Sequence, residues 1–169
     1  NSDSVARSLL STEQDSSLSN NQDLNISIIG AIGENKGYDL LLALAIYIRE
    51  NNLPLRLIVV GWTMDDIKLQ NSGNVLITGK YEEKDFPAII ENNDLHCSLF
   101  LSQWPETYSY TLSLAFYHHL YPFVLDFGAQ AERVRRTGFG LVLGNSSPSY
   151  LSARLLDYRN ELVSRRMQQ

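Results

Sequence analysis

The chain has 169 residues, 44% of them apolar and 20% charged. That is the composition of about one globular domain and excludes a disordered chain. Lys plus Arg is 14 and Asp plus Glu is 19, a formal charge of −5, so the basic excess of a dedicated nucleic-acid binder is missing and no nucleic-acid partner is expected. The single cysteine, Cys97, excludes an internal disulfide framework and a Cys-rich zinc site, and suits a reducing, cytoplasmic compartment. No apolar run approaches the roughly 18 residues that a membrane span needs. Residues 1–21 lack the apolar core of a signal peptide. The chain starts at Asn1 rather than Met, and the expectation is a piece of a longer protein.

Residues 1–23 are rich in Ser, Asn, Gln and Asp, and only Val5, Ala6, Leu9 and Leu10 could form an apolar face. A poorly ordered linker is expected there, with the folded domain over 24–169. The β-branched run 26–29, ended by Gly30, predicts a strand. Apolar residues then recur at Leu41, Leu42, Ala45, Ile46 and Ile48, which predicts a helix over 38–50. Residues 55–60 read as an apolar run, as in a strand buried on both faces. A short strand at 75–78, a short helix at 86–91 and a strand at 95–101 follow. The next stretch, 110–120, reads as helix with Leu112, Ala115 and Phe116 on one face. A strand at 122–125, a helix at 129–136 and a strand at 140–143 come after it. Residues 147–166 read as a longer helix, with Ser147 as its cap and Pro148 in its first turn. Six strands alternating with helices predict an α/β fold, a Rossmann-like three-layer sandwich with a mostly parallel sheet.

Open parallel sheets bind ligands beyond the carboxyl ends of their strands, where the strand order reverses. For an order 3-2-1-4-5-6 that point lies between the first and fourth strands, and loops 30–37 and 102–110 would face each other. The first loop holds Gly30, Gly33, Gly37 and Lys36 just before a helix. Glycines admit close approach of a ligand to the backbone, a helix start offers N–H groups, and Lys36 adds a full charge, a combination suited to phosphate. A plain strand-to-helix turn with a surface lysine is the competing reading. A nicotinamide cofactor fits poorly, because the spacing is not G-x-G-x-x-G and the second strand ends in Gly61-Trp62 with no acid. The second loop holds Glu106 among Trp104, Tyr108 and Tyr110, a setting in which a carboxylate could accept hydrogen bonds from sugar hydroxyls. Ser109 can cap the next helix, leaving the N–H groups of Tyr110, Thr111 and Leu112 for phosphate oxygens. The competing reading there is a solvated carboxylate beside core aromatics.

Other candidates are weaker. His118 and His119 are adjacent, so on a helix they diverge by about 100°, and no metal site is expected. His96 reads as a packed or hydrogen-bonded strand residue. Arg133, Arg135 and Arg136 read as a solvated basic face, Asp65-Asp66 as a turn or helix cap, and Cys97 as buried. No nucleophile-elbow or triad spacing is present.

Taken in chain order, Ile28-Ile29-Gly30-Ala31-Ile32-Gly33-Glu34-Asn35-Lys36-Gly37-Tyr38-Asp39, Val59-Val60-Gly61, Ile77-Thr78-Gly79-Lys80-Tyr81, Pro105-Glu106-Thr107-Tyr108-Ser109-Tyr110-Thr111-Leu112 and Gly128-Ala129-Gln130-Ala131-Glu132-Arg133 resemble the carboxyl-terminal half of the glycosyl transferases group 1 family. The likeness covers roughly 24–143, and Asp3-Ser4-Val5-Ala6-Arg7 looks like the segment after that family's interdomain linker. It implies the carboxyl-terminal half of a GT-B fold in a retaining hexosyltransferase. Such an enzyme would take a nucleoside diphosphate sugar as donor, act on a glycan or lipid-linked acceptor in polysaccharide biosynthesis, and use no other cofactor. An amino-terminal acceptor domain would be needed for activity and could bring the protein to the inner membrane face. By position, Lys36 would contact the donor diphosphate within the Gly33 loop, and Glu106, the first acid of E-x7-E, the sugar hydroxyls. Tyr110, Thr111 and Leu112 would hold phosphate, Thr78, Gly79, Lys80 and Tyr81 would flank the base, and Gly61 and Trp62 would lie along the nucleotide cleft.

Two positions depart from the family. Ala31 stands where an arginine is frequent, and Leu114 stands at the second acid of E-x7-E, which would bind ribose. Losing a charge-assisted bond of that kind costs about 1.5–3 kcal/mol. A degenerate, non-catalytic domain kept for binding or packing is therefore the alternative. A nucleotide-dependent epimerase of the same architecture is a third reading.

Overall fold

In a computed structural model, residues 22–167 are described, 106–108 excepted. The expected linker over 1–23 falls almost wholly outside the described residues. The strands are β1 (Leu24–Ile32), β2 (Leu55–Thr63), β3 (Val75–Ile77), β4 (Cys97–Phe100), β5 (Tyr121–Leu125) and β6 (Leu141–Leu143). The helices are α1 (Tyr38–Glu50), α2 (Asp66–Ser72), α3 (Phe86–Asn93), α4 (Tyr110–Tyr117), α5 (Gly128–Thr137) and α6 (Pro148–Met167), with single 3-10 turns at Glu34–Lys36 and Glu83–Asp85. The six strands form one sheet in the order β3-β2-β1-β4-β5-β6, and every pairing is parallel. The strand order therefore reverses between β1 and β4, as the sequence reading placed it.

Alternation along the strands builds two cores. Leu24, Ile26 and Ile28 of β1, with Leu55, Leu57 and Val59 of β2, face α1, α2 and α6. Ile29 of β1, with Ile58 and Val60 of β2, faces α3, α4 and α5. Period-2 strands buried on both faces read as nearly continuous apolar runs, which is why five of the first six residues of β2 are apolar, Arg56 being the exposed exception. Each fully buried Leu or Ile side chain contributes roughly 1.5–3 kcal/mol. The few buried hydroxyls are paired: Ser27 lies opposite Ser98 with their oxygens 2.6 Å apart, and Ser27 also donates to the Cys97 carbonyl. Cys97 is fully buried, and burial pushes its thiol pKa up, which makes it inert. No helix among the described residues is long and apolar enough to cross a membrane.

Three details differ from the sequence reading. Gly30 does not end β1. Its φ of 122° kinks the strand, and Gly30 pairs with Gly61, which itself sits at φ 135°. A Cβ on Gly61 would collide with the Gly30 carbonyl, so only two glycines let the ladder continue to Ala31↔Trp62 and Ile32↔Thr63. A further helix, α2, follows β2, capped by the Asp65 side chain accepting from the Lys68 N–H. It is short, and one of its two large apolar residues, Ile67, is 72% exposed, so it leaves little periodic trace. Finally, α4 stops at Tyr117: His118 caps it and His119 takes a left-handed φ of 56°. The two histidines thus follow the helix instead of diverging on it.

Candidate functional site

Since β1 continues through Ile32, the loop that faces β4 is 33–37, shorter than the expected 30–37. Gly33 takes an extended conformation, and its carbonyl accepts from the N–H groups of Lys36 and Tyr38 at 3.1 Å each. The tight turn Glu34–Lys36 leads directly to Gly37, the residue before α1, at φ 87°. A Cβ there would strike Leu101, so the loop lies against the end of β4. Ser102 ties the two loops together, donating from its hydroxyl to the Asn35 carbonyl at 3.2 Å.

Lys36 is half-buried, and it lines a cavity of about 20 Å³ together with Ser102, Ser109, Thr111 and Gln130 at the carboxyl ends of β1 and β4. The structure thus brings Lys36 and the first turn of α4 to one point. The cavity has room for about one water, so a larger ligand must lie across its mouth rather than inside it.

Ser109 caps α4 with its hydroxyl, accepting from the Leu112 N–H at 3.4 Å. This corrects one expectation: the Leu112 N–H is already used, and Leu112 is fully buried in the second core. Among the described residues, the N–H groups of Tyr110 and Thr111 remain as first-turn donors, with the positive end of the helix dipole. Arg133 is not on a solvated face either. Its guanidinium reaches from α5 to donate to the Ser109 carbonyl at 2.9 Å and to the Ser113 hydroxyl at 2.8 Å, and it lies over the Phe116 ring. It fixes the end of α4 that faces Lys36. Arg135 instead pairs with Asp126 at the exposed surface, and that guanidinium holds the Asp126 carboxyl below its ordinary range.

At the ends of β2 and β3, Gly61 and Gly79 meet. The Gly61 N–H donates to the Thr78 hydroxyl at 3.0 Å, and the Gly79 N–H donates to the Gly61 carbonyl at 2.8 Å. Gly79 sits at φ 79° with open space where a side chain would be. Lys80 and Trp62 are exposed. Tyr81 is half-buried against Phe86, and burial, then the Glu83 carboxylate, raises its pKa. Tyr81 therefore serves partly as core.

Glu106, with Thr107 and Tyr108, lies outside the described residues. Leu114 is only 8% exposed and packs into the second core. Ala31 is exposed and paired with Trp62 in the ladder. Among the described residues, no three His, Cys, Asp or Glu side chains are grouped to hold a metal ion. Sequence reasoning placed Ser102 in the facing loop without giving it a role, and did not assign Gln130 or Arg133 to this site. Gln130 left the clearest trace: a polar residue on the apolar face of α5, buried and donating to the carbonyls of Leu125 and Ser102.

No family model matches the sequence. No curated protein matches it either. Solved structures do match in shape. Anabaena HepE in complex with UDP and glucose aligns over 92% of this chain and 45% of its own, with a TM-score of 0.65 and 14% identity. The C-terminal domain of a glycosyl transferase group 1 family protein, LpcC of Francisella tularensis, aligns over 89% of this chain and 86% of its own, with a TM-score of 0.63 and 15% identity. The catalytic domain of cholesterol-alpha-glucosyltransferase from Helicobacter pylori aligns over 87% and 96%, with a TM-score of 0.61 and 13% identity. The chain thus spans about half of the HepE chain and nearly all of the two single domains. Its sheet order, helical layers and these alignments together give it the Rossmann-like fold of the carboxyl-terminal domain of GT-B glycosyltransferases.

Proposed function

We propose that residues 24–169 are the donor-binding domain of a retaining glycosyltransferase. It would move a sugar from a nucleoside diphosphate sugar to a glycan or lipid-linked acceptor in polysaccharide biosynthesis. One observation carries this reading: Lys36 and the first turn of α4 line the same cavity at the point where the strand order reverses. When the bond between the sugar's anomeric carbon and the diphosphate breaks, negative charge grows on the leaving phosphate. A half-buried ammonium and two fixed N–H groups would meet that charge without reorganising. Partial burial of Lys36 strengthens the interaction, because the effective dielectric falls below that of water. The open surface over Gly79 would leave the base a flat approach beside Gly61 and Tyr81, and Glu106 would orient the sugar hydroxyls. Transfer itself would need an acceptor domain beyond this chain, and the protein would work in the cytoplasm, at the inner membrane face where that domain takes it.

A second reading has its own support. Leu114 is packed as core and cannot accept a hydrogen bond from ribose, which favours a degenerate domain kept for packing. Calorimetric titration with UDP, GDP and ADP separates the two. The donor-site reading expects one of them to bind in the micromolar to low-millimolar range, and Lys36→Ala to weaken it by roughly ten- to a hundredfold. No binding of any of the three supports the packing role.

A further inference from the structure

The chain has three histidines, and all of them line one cavity of about 470 Å³ at the amino ends of β4 and β5, the opposite end of the sheet from Lys36. His96 enters from the residue before β4, and His118 and His119 from the end of α4. Arg165 reaches it from the last turns of α6, while Tyr121 and Phe139 line it together with leucine and isoleucine residues. Among the described residues, none that lines it is acidic. The volume falls within the roughly 300–1,000 Å³ of small-molecule pockets, which pair an apolar lining with a few convergent polar groups.

The geometry of each basic group is set. His96 is buried, and its Nδ1 accepts from the Asn25 N–H at 2.8 Å, which assigns the ring proton to Nε2, 3.5 Å from the exposed Asp94 carboxylate. The left-handed turn at His119 carries the chain from α4 to β5 with both adjacent imidazoles on the cavity. His118 packs between the rings of Phe86 and Tyr117, with His119 and the Glu83 carboxylate within electrostatic reach. Arg165 lies 3.8 Å from Glu161, and the Tyr121 hydroxyl sits beside Tyr158, Glu161 and Arg165. The three nearby carboxylates thus belong to residues outside the cavity wall; the His96 ring is buried behind that wall, which itself presents His118, His119 and Arg165.

We propose that this cavity binds a small organic anion, a carboxylate or phosphate monoester carried on a flat apolar body. Rings and aliphatic side chains would take the body, and Arg165 with the imidazoles of His118 and His119 would take the anionic group. Burial and the neighbouring His119 hold His118 toward its neutral form. A bound anion offsets both effects, so binding takes up protons and tightens as the pH falls.

The test follows the three imidazole resonances by NMR while phenyl phosphate, benzoate and uncharged phenol are titrated into the chain. At least one of the two anions should shift His118 and His119 saturably, about tenfold more tightly at pH 6 than at pH 8. Saturation by phenyl phosphate alone assigns a phosphate monoester, and by benzoate alone a carboxylate. Arg165→Gln should weaken binding about tenfold with Tm unchanged. If that variant loses stability, His119→Gln at its exposed position is the second readout. Lys36→Ala should leave these shifts intact, which keeps the result independent of the donor site. Saturation by neither anion, or equal saturation by phenol, overturns the proposal.

Discussion

Gly37 is the position where loop 33–37 and the sheet press together, and Gly37→Ala tests that contact. Two costs act. The backbone sits at φ 87°, in the left-handed region, which costs an alanine about 1–2 kcal/mol. The added methyl would also lie 2.7 Å from the Leu101 Cβ and collide with the Leu101 carbonyl, and forcing volume into packed structure costs typically about 1–3 kcal/mol. Gly138→Ala isolates the first cost, since Gly138 has φ 67° and no atom within 4 Å of the new Cβ. Urea unfolding should therefore show a loss of about 2–5 kcal/mol for Gly37→Ala and about 1–2 kcal/mol for Gly138→Ala. A domain of this size has about 5–15 kcal/mol in total, so the first variant folds with little margin. Relief of the collision requires residues 33–37 to lift from β4, taking Lys36 away from α4. Nucleotide affinity should fall in Gly37→Ala and hold in Gly138→Ala. Equal losses of stability in the two variants would refute the close approach.

Arg133→Met keeps most of the side chain's volume but leaves the Ser109 carbonyl and Ser113 hydroxyl without the guanidinium. It should cost about 1–3 kcal/mol by chemical denaturation and weaken nucleotide binding, because the end of α4 facing Lys36 is no longer held. The pH dependence of stability should reflect His118, whose pKa is lowered in the fold by desolvation and then by His119, against a slight opposing pull from Glu83. As pH falls through the ordinary value of 6.5, the unfolded chain takes up a proton that the folded chain refuses. The His118 contribution is thus present above that value and lost below it. Urea midpoints at pH 7.5 and pH 5.5 should differ less in His118→Gln than in the wild type.

The sheet was legible because its signals are local and strong. The apolar run 55–60, interrupted at Arg56, marks a central strand, the spacing from Leu41 to Ile48 marks α1, and six alternating strands suit the common doubly wound order that makes Lys36 and Ser109 neighbours. The misread parts depend on partners distant in sequence. Gly30 looked like a strand end because its continuation needs Gly61, 31 positions later and paired with it. Arg133 looked solvated because the carbonyl and hydroxyl it serves are 24 and 20 residues away. The Leu112 N–H looked available although Ser109 was read as the cap, because a capping side chain takes the N–H of the second or the third helical residue and its rotamer decides which. The cavity that all three histidines line was invisible because His96 and the His118–His119 pair meet only after β4 and β5 are paired.

A diphosphate held between Lys36 and the start of α4 is tested most directly by a series of three ligands. For the base that binds, dissociation constants of the nucleoside, its monophosphate and its diphosphate are measured by calorimetry in the wild type and in Lys36→Ala. A lysine on the diphosphate should weaken the diphosphate by roughly ten- to a hundredfold when removed, and leave the nucleoside unchanged. An equal loss across the series, or none in any member, would contradict it.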